Sequence, residues 1–181
     1  MLAPHMMKKH LLYFFLLALV LVACVKQPAP LLSGMGKKPI YLSLDALDNI
    51  ANLPPRDVES SGSIFLLDTL FFLMEQGQGI HVFSVSDPEN PTALTFLQIP
   101  AISAYTINGN RLFANCWRDL VTIDISNLYA IQSIDRQEGV FDPLLFPPLF
   151  NGIFECVDET KGAVVKWEDA ALENVACSTI N

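Results

Sequence analysis

Two stretches of this chain repeat one another. Ile80-His81-Val82-Phe83-Ser84-Val85-Ser86-Asp87 lines up with Leu120-Val121-Thr122-Ile123-Asp124-Ile125-Ser126-Asn127 at an offset of 40. Leu70-Phe71 lines up with Leu112-Phe113 at an offset of 42, so the second copy reads as a hairpin two residues shorter, with a tighter turn in place of Gly77-Gln78-Gly79. A repeat of this length is one supersecondary unit, which buries its apolar face only by stacking on a neighbour.

The local pattern says what the unit is made of. Strand-like runs fall at 64–67, 70–75, 80–85, 94–99, 102–107, 111–117, 120–125 and 130–135, parted by Asp68-Thr69, Gly77-Gln78-Gly79, Asp87 to Pro91, Pro100, Asn108-Gly109, Arg118-Asp119 and Ser126-Asn127. In the second copy Val121, Ile123 and Ile125 alternate with Thr122 and Asp124, as in a half-buried strand. Short strands at this spacing predict an all-β domain, and four strands in about 40 residues is the size of one β-propeller blade. The apolar stretch 64–74 is interrupted by Asp68 and too short to cross a bilayer, so it reads as a buried hairpin. Phe154–Val157 and Ala163–Trp167, flanking Asp158 to Gly162, read as a further hairpin and a partial third unit, joined to the second by the proline-rich stretch Phe141–Phe150. Two blades and part of a third cannot close a ring, which needs at least four. The chain is then a truncated relative of longer repeat proteins, a small open stack of sheets, or a unit that associates with its own copies, the first being favoured, with Phe71, Phe83, Phe113, Ile123 and Ile125 on inner faces short of neighbours.

Ahead of this domain (62–181) the sequence divides three ways. Lys8, Lys9 and His10 precede a run of 12 apolar residues, Leu11–Val22, the make-up of an export signal over 1–23. Residues 24–39, with Pro28, Pro30, Gly34, Gly36 and Pro39, read as a tether. Residues 40–61 form a lead-in holding a short helix over 43–50, capped by Ser43, with Leu44, Leu47 and Ile50 on one side and Pro54-Pro55 ending it. Cleavage after residue 23 takes two further positive charges from a chain whose formal charge is −8. Such acidity repels phosphate backbones and argues against nucleic acid as a partner.

The signal ends in Leu21-Val22-Ala23-Cys24, which resembles the lipobox of bacterial lipoproteins. The resemblance implies cleavage before Cys24 and acylation of its thiol, with attachment to the membrane through several chains. Val25 rather than Asp after the cysteine implies passage to the outer membrane of a Gram-negative envelope. Gly79-Ile80-His81-Val82-Phe83-Ser84-Val85-Ser86-Asp87-Pro88-Glu89-Asn90-Pro91 in turn resembles the LVIVD repeat: a glycine, an aliphatic strand, then Asp-x-Ser-x-Pro-x-x-Pro. Leu120–Asn127 resembles a second copy with the Asp-Ile-Ser core. Ser84 stands where the family has Asp, and Leu128 where it has Pro. Residues 40–177 as a whole are similar to lipoproteins of the Bacteroidetes type that carry such repeats, a resemblance that speaks to architecture and hardly to activity.

Little in the chain points to chemistry. His81 is the only histidine after residue 23 and occupies the slot of Val121, so it reads as a core histidine rather than a ligand. No catalytic or metal constellation is expected, and no cofactor. Asp87, Glu89 and Asp124 sit at turns, where they either offer oxygens to calcium or, as favoured, cap their own backbone. Cys116 reads as a small buried hydrophobe. A bridge between Cys156 and Cys177 would close a loop of about 20 residues, worth roughly 3 kcal/mol if unstrained, in a compartment that permits it. Trp117 and Trp167 either grip a sugar or peptide or pack in the core. The leading expectation is a lipid-anchored, non-catalytic scaffold or binding module for an envelope protein or glycan. The rival is a fragment of a propeller enzyme acting on glycans through loop carboxylates.

Overall fold

The computed structural model describes residues 30–143 and 145–180. The export signal, its Leu21-Val22-Ala23 end and the lipidation position Cys24 lie outside the described residues. What is described is all-β. In chain order the strands are β1 (Leu32–Leu42), β2 (Ala51–Leu53), β3 (Ile64–Leu67), β4 (Leu70–Glu75), β5 (Gly79–Ser84), β6 (Thr92–Gln98), β7 (Tyr105–Asn108), β8 (Arg111–Cys116), β9 (Asp119–Asp124), β10 (Gln132–Gln137), β11 (Ile153–Phe154), β12 (Ala163–Val175) and β13 (Cys177–Ser178).

They make three sheets. The first runs β2-β6-β5-β4-β3, the second β10-β9-β8-β7, and the third β12-β1-β11-β13. Within the first two, β3 to β6 and β7 to β10 are each an antiparallel meander of consecutive strands, and each carries one of the two stretches that line up at an offset of 40. Their turns are built alike. Asp87 Oδ1 accepts from the Glu89 N–H at 3.1 Å as Asn127 Oδ1 accepts from the Tyr129 N–H at 3.0 Å. Ser84 and Asp124, 40 apart, each accept from the N–H of the serine two residues on. Register corrects the offset of the preceding strands. Leu70 pairs with Ser84 where Arg111 pairs with Asp124, an offset of 41, so the second hairpin is one residue shorter, not two.

The two meanders share one core. Phe72, Met74, Ile80, Val82 and Leu97 of the first sheet pack with Leu112, Ala114, Cys116, Val121 and Ile123 of the second. The Tyr105 hydroxyl crosses between them to donate to Phe72 O at 2.9 Å, and burial raises its pKa to about 12. Fully buried side chains of this kind contribute about 1.5–3 kcal/mol each. The faces in contact are opposite faces of the repeat: Ile80 and Val82 point inward from the first copy, but Val121 and Ile123, not Leu120 and Thr122, from the second. The slot of Val121 is thus an inner position and that of His81 an outer one. Phe71 and Phe83, expected between the sheets, likewise lie in the cross-strand row of the first sheet's outer face, and Phe113 faces away from the core in the second, whereas Ile123 and Ile125 are in it.

Two expectations from the sequence fail in the third sheet. The tether read over 24–39 is strand from Leu32, because β1 pairs with β12 along almost its whole length, from Leu32↔Val175 to Leu42↔Ala163. Gly36 permits the close approach of β11: a Cβ there would lie 2.3 Å from Ile153 O. The hairpin expected of residues 154–167 does not form, since β1 lies between β11 and β12. Asp158 to Gly162 instead hold a 3-10 turn, Glu159–Lys161, capped by Asp158. The lead-in helix is a 3-10 helix over Leu44–Asp48, and the Ser43 hydroxyl makes no capping bond. Leu47 is buried and Leu44 exposed. Arg136 fixes this helix to the second sheet, donating to Asp119 Oδ2 and Leu47 O, each at 2.8 Å.

Candidate functional site

The β6–β7 connection and the β8–β9 turn reach the same end of the two stacked sheets. There they meet β12 and the proline-rich segment after β10, enclosing a cavity of about 290 Å³. Trp117 of the turn and Trp167 of β12 both line it, joined by Phe141, Pro143 and Leu145 from the segment. These are the only two tryptophans of the chain. Neither is fully buried.

Each aromatic is held by its surroundings. Trp117 is the first residue of a two-residue turn and takes a left-handed backbone, φ 56°. That conformation costs a non-glycine residue about 1–3 kcal/mol, and strain of this kind gathers at working sites. Its N–H donates to Ala101 O at 3.3 Å, and Ala101 is itself left-handed, φ 57°. The Arg118 guanidinium lies 5.4 Å from the Trp117 ring and reaches Glu159 at 3.5 Å, tying the turn to the 3-10 turn ahead of β12. Trp167 stands edge-on to Phe154, centroids 5.7 Å apart. The segment is pinned at its start, where the Phe141 N–H donates to Arg118 O at 2.8 Å and the Gly139 N–H to Asp119 Oδ1 at 3.0 Å.

Polar groups line the wall: Gln76, Ser103, Asn115, Asp142, Glu159 and Lys166. Asn115 is spent on structure, its Oδ1 accepting from the Ser103 and Ala104 N–H groups at 2.8 Å each and its amide donating to Ser103 Oγ at 2.8 Å. Asp142, Lys166 and Gln76 are exposed and add hydrogen-bonding groups to the lining. The described lining holds no histidine or cysteine to act as base or nucleophile. Flat apolar rings flanked by a few polar groups are the usual make-up of a small-molecule cavity, and Asp142 and Glu159 place two carboxylates in its wall.

The other sequence candidates lie elsewhere. Asp87 and Asp124 serve their own turns: the Asn90 amide and Glu89 N–H hold Asp87 below its usual carboxylate range, and the Ser126 N–H and hydroxyl do the same for Asp124. They and Glu89 are absent from the cavity wall, and no group of three His, Cys, Asp or Glu among the described residues is arranged to hold a metal ion. Cys116 is buried and free; burial pushes its thiol up, against the lowering pull of Arg136. Cys156 and Cys177 are disulfide-bonded, Cα atoms 5.3 Å apart.

His81 is buried, but on the outer face of the first sheet and not in the shared core, and its partner is one the sequence did not single out. Its Nε2 lies 3.0 Å from Oε2 of Glu75, a fully buried carboxylate on the adjacent strand. Comparison with protein-family models, with curated proteins and with solved structures finds no match to this chain. No helix among the described residues is long and apolar enough to cross a membrane.

Proposed function

We propose that this protein is a lipid-anchored binding module of a bacterial envelope, held to the outer membrane through acylated Cys24, and that its cavity takes a short stretch of glycan. The observation that carries the reading is the convergence of Trp117 and Trp167 on one partly open cavity from sheets far apart in the chain. Sugar rings present flat C–H faces that stack on aromatic rings, while their hydroxyls need donors and acceptors such as Asp142, Lys166 and Gln76 at the edge.

The architectural part of the proposal is that the two meanders are propeller-like blades of the LVIVD kind. Supporting it are the recurring turn hydrogen bonds and the packing of opposite repeat faces, since blades around an axis meet front to back. The third sheet, made from both ends of the described chain, takes the place the sequence had given to a partial third blade.

Two experiments test the reading. Labelled palmitate should enter the wild-type protein and not Cys24→Ser; equal labelling of both contradicts the anchor. Immobilised envelope glycan fragments should retain the wild-type protein, with Trp117→Ala and Trp167→Ala each weakening retention roughly tenfold to a hundredfold, as loss of a central aromatic contact does. Retention unchanged in both variants contradicts the site, and release of shortened glycan by the wild type would favour the enzymatic rival.

A further inference from the structure

The outer face of the first sheet is apolar where a two-sheet stack would be expected to turn polar. Ile64, Leu73, His81 and Phe96 form one cross-strand row, and Leu66, Phe71, Phe83 and Ala93 the next. Residues 54–63, which join β2 to β3, are fastened to part of this face. Arg56 places its guanidinium 4.2 Å from the Phe96 ring centroid and donates to Glu75 and, at 2.7 Å, to Gln78. The Glu59 and Ser60 N–H groups donate to Glu75 Oε1 at 2.6 and 2.7 Å, and the Gly62 N–H donates to Met74 O at 2.8 Å. The rest of the face is bare, with Ile64 60% and Leu66 62% exposed.

One side chain gathers most of these bonds. Glu75 is fully buried, accepts from Arg56 and two backbone amides of the segment, and lies within hydrogen-bond distance of His81 Nε2. We propose that residues 54–63 are an acid-released strap, clasped over the sheet by the ionised Glu75 and let go as a unit when that carboxylate takes up a proton. A protonated carboxyl is a weaker acceptor and has a hydrogen to donate, yet three of its four partners, the Arg56 guanidinium and the Glu59 and Ser60 N–H groups, can only donate, so protonation costs the clasp both charge and complementarity. Release bares Leu73, His81 and Phe96 beside Ile64 and Leu66, making one continuous apolar face.

The groups facing Glu75 set the direction. Burial raises its pKa, and the Ser60 N–H, His81, the Glu59 N–H and Arg56 together outweigh burial, so the closed-state carboxyl titrates below its ordinary value of 4.5. Glu59 stands 3.9 Å from Arg56. β6 contributes Phe96, and β3 contributes no ionisable group. A carboxyl depressed in the closed state stabilises closure above its open-state pKa, and that stability is lost as pH falls toward the closed-state pKa. Opening is therefore favoured about tenfold per pH unit across that window, the slope for one proton.

The test is amide hydrogen exchange of the mature chain, expressed as protection factors so that the intrinsic pH dependence divides out. Protection at Glu59 and Ser60 should fall with about this slope below the ordinary glutamate range while amides of β8 and β9 keep theirs, and binding of a hydrophobic dye should rise in step. Glu75→Gln should expose the two strap amides already at neutral pH. Arg56→Met, a change at a partly exposed position, should raise strap exchange at every pH without touching β8 and β9. Loss of strap and core protection at one common pH, or wild-type strap protection in Glu75→Gln or Arg56→Met, would overturn the proposal.

Discussion

Leu149 stands wholly in solvent with a left-handed backbone, φ 55°. A leucine there bears the steric cost of that conformation and gains nothing from burial. Leu149→Gly should therefore stabilise the protein by about 1 kcal/mol, a rise in melting temperature of about 2–4 °C by scanning calorimetry. Trp117 has the same kind of backbone, but it is half-buried and lines the cavity. Neither conformation is legible in the sequence, where Arg118-Asp119 marks a turn without saying which residue takes the positive φ. The strap clasp was hidden for a related reason. Glu75 and His81 are neighbours only because β4 and β5 pair with Leu73 opposite His81, and that register depends on a turn whose length the sequence did not settle. In the unfolded reading Glu75 is one more acid on an acidic chain.

At the scale of elements, the disulfide and β1 decide how the third sheet closes. Cys156 and Cys177 are 21 residues apart in sequence, so their bridge should stabilise the fold by about 3 kcal/mol, mainly through the unfolded state. Reduction should lower the melting temperature by about 6–12 °C. Alkylation followed by mass analysis should modify Cys116 only after denaturation, and Cys156 and Cys177 only after reduction; modification of all three without a reductant would contradict the pairing. The strands of the two meanders were readable because alternation and turn residues are local signals. β1 was not, because Gly34, Gly36 and Pro39 are residues of loops in isolation. What makes them strand is β12, more than a hundred residues further along, and a β11 backbone close enough that only glycine fits at position 36. The proline-rich segment from Phe141 connects β10 to the third sheet, and it walls the cavity because its start is anchored to the β8–β9 turn.

For the whole molecule, the first sheet turns Ile80 and Val82 to the shared core and His81, Phe71 and Phe83 away from it, so one outer face is left apolar and partly strapped. The third sheet adds the feature the repeat did not foretell: it brings Trp167 to the end of the stack that Trp117 already occupies. A chain with only these two tryptophans reports on that cavity directly, because its indole emission arises nowhere else. Titration of this emission with envelope glycan fragments is accordingly the most direct test of the proposed binding function. The account predicts a saturable change in emission with at least one fragment class, weakened roughly tenfold to a hundredfold in Trp167→Ala when followed through Trp117 alone. Emission unaltered by every fragment, from a protein whose melting shows it to be folded, would contradict it.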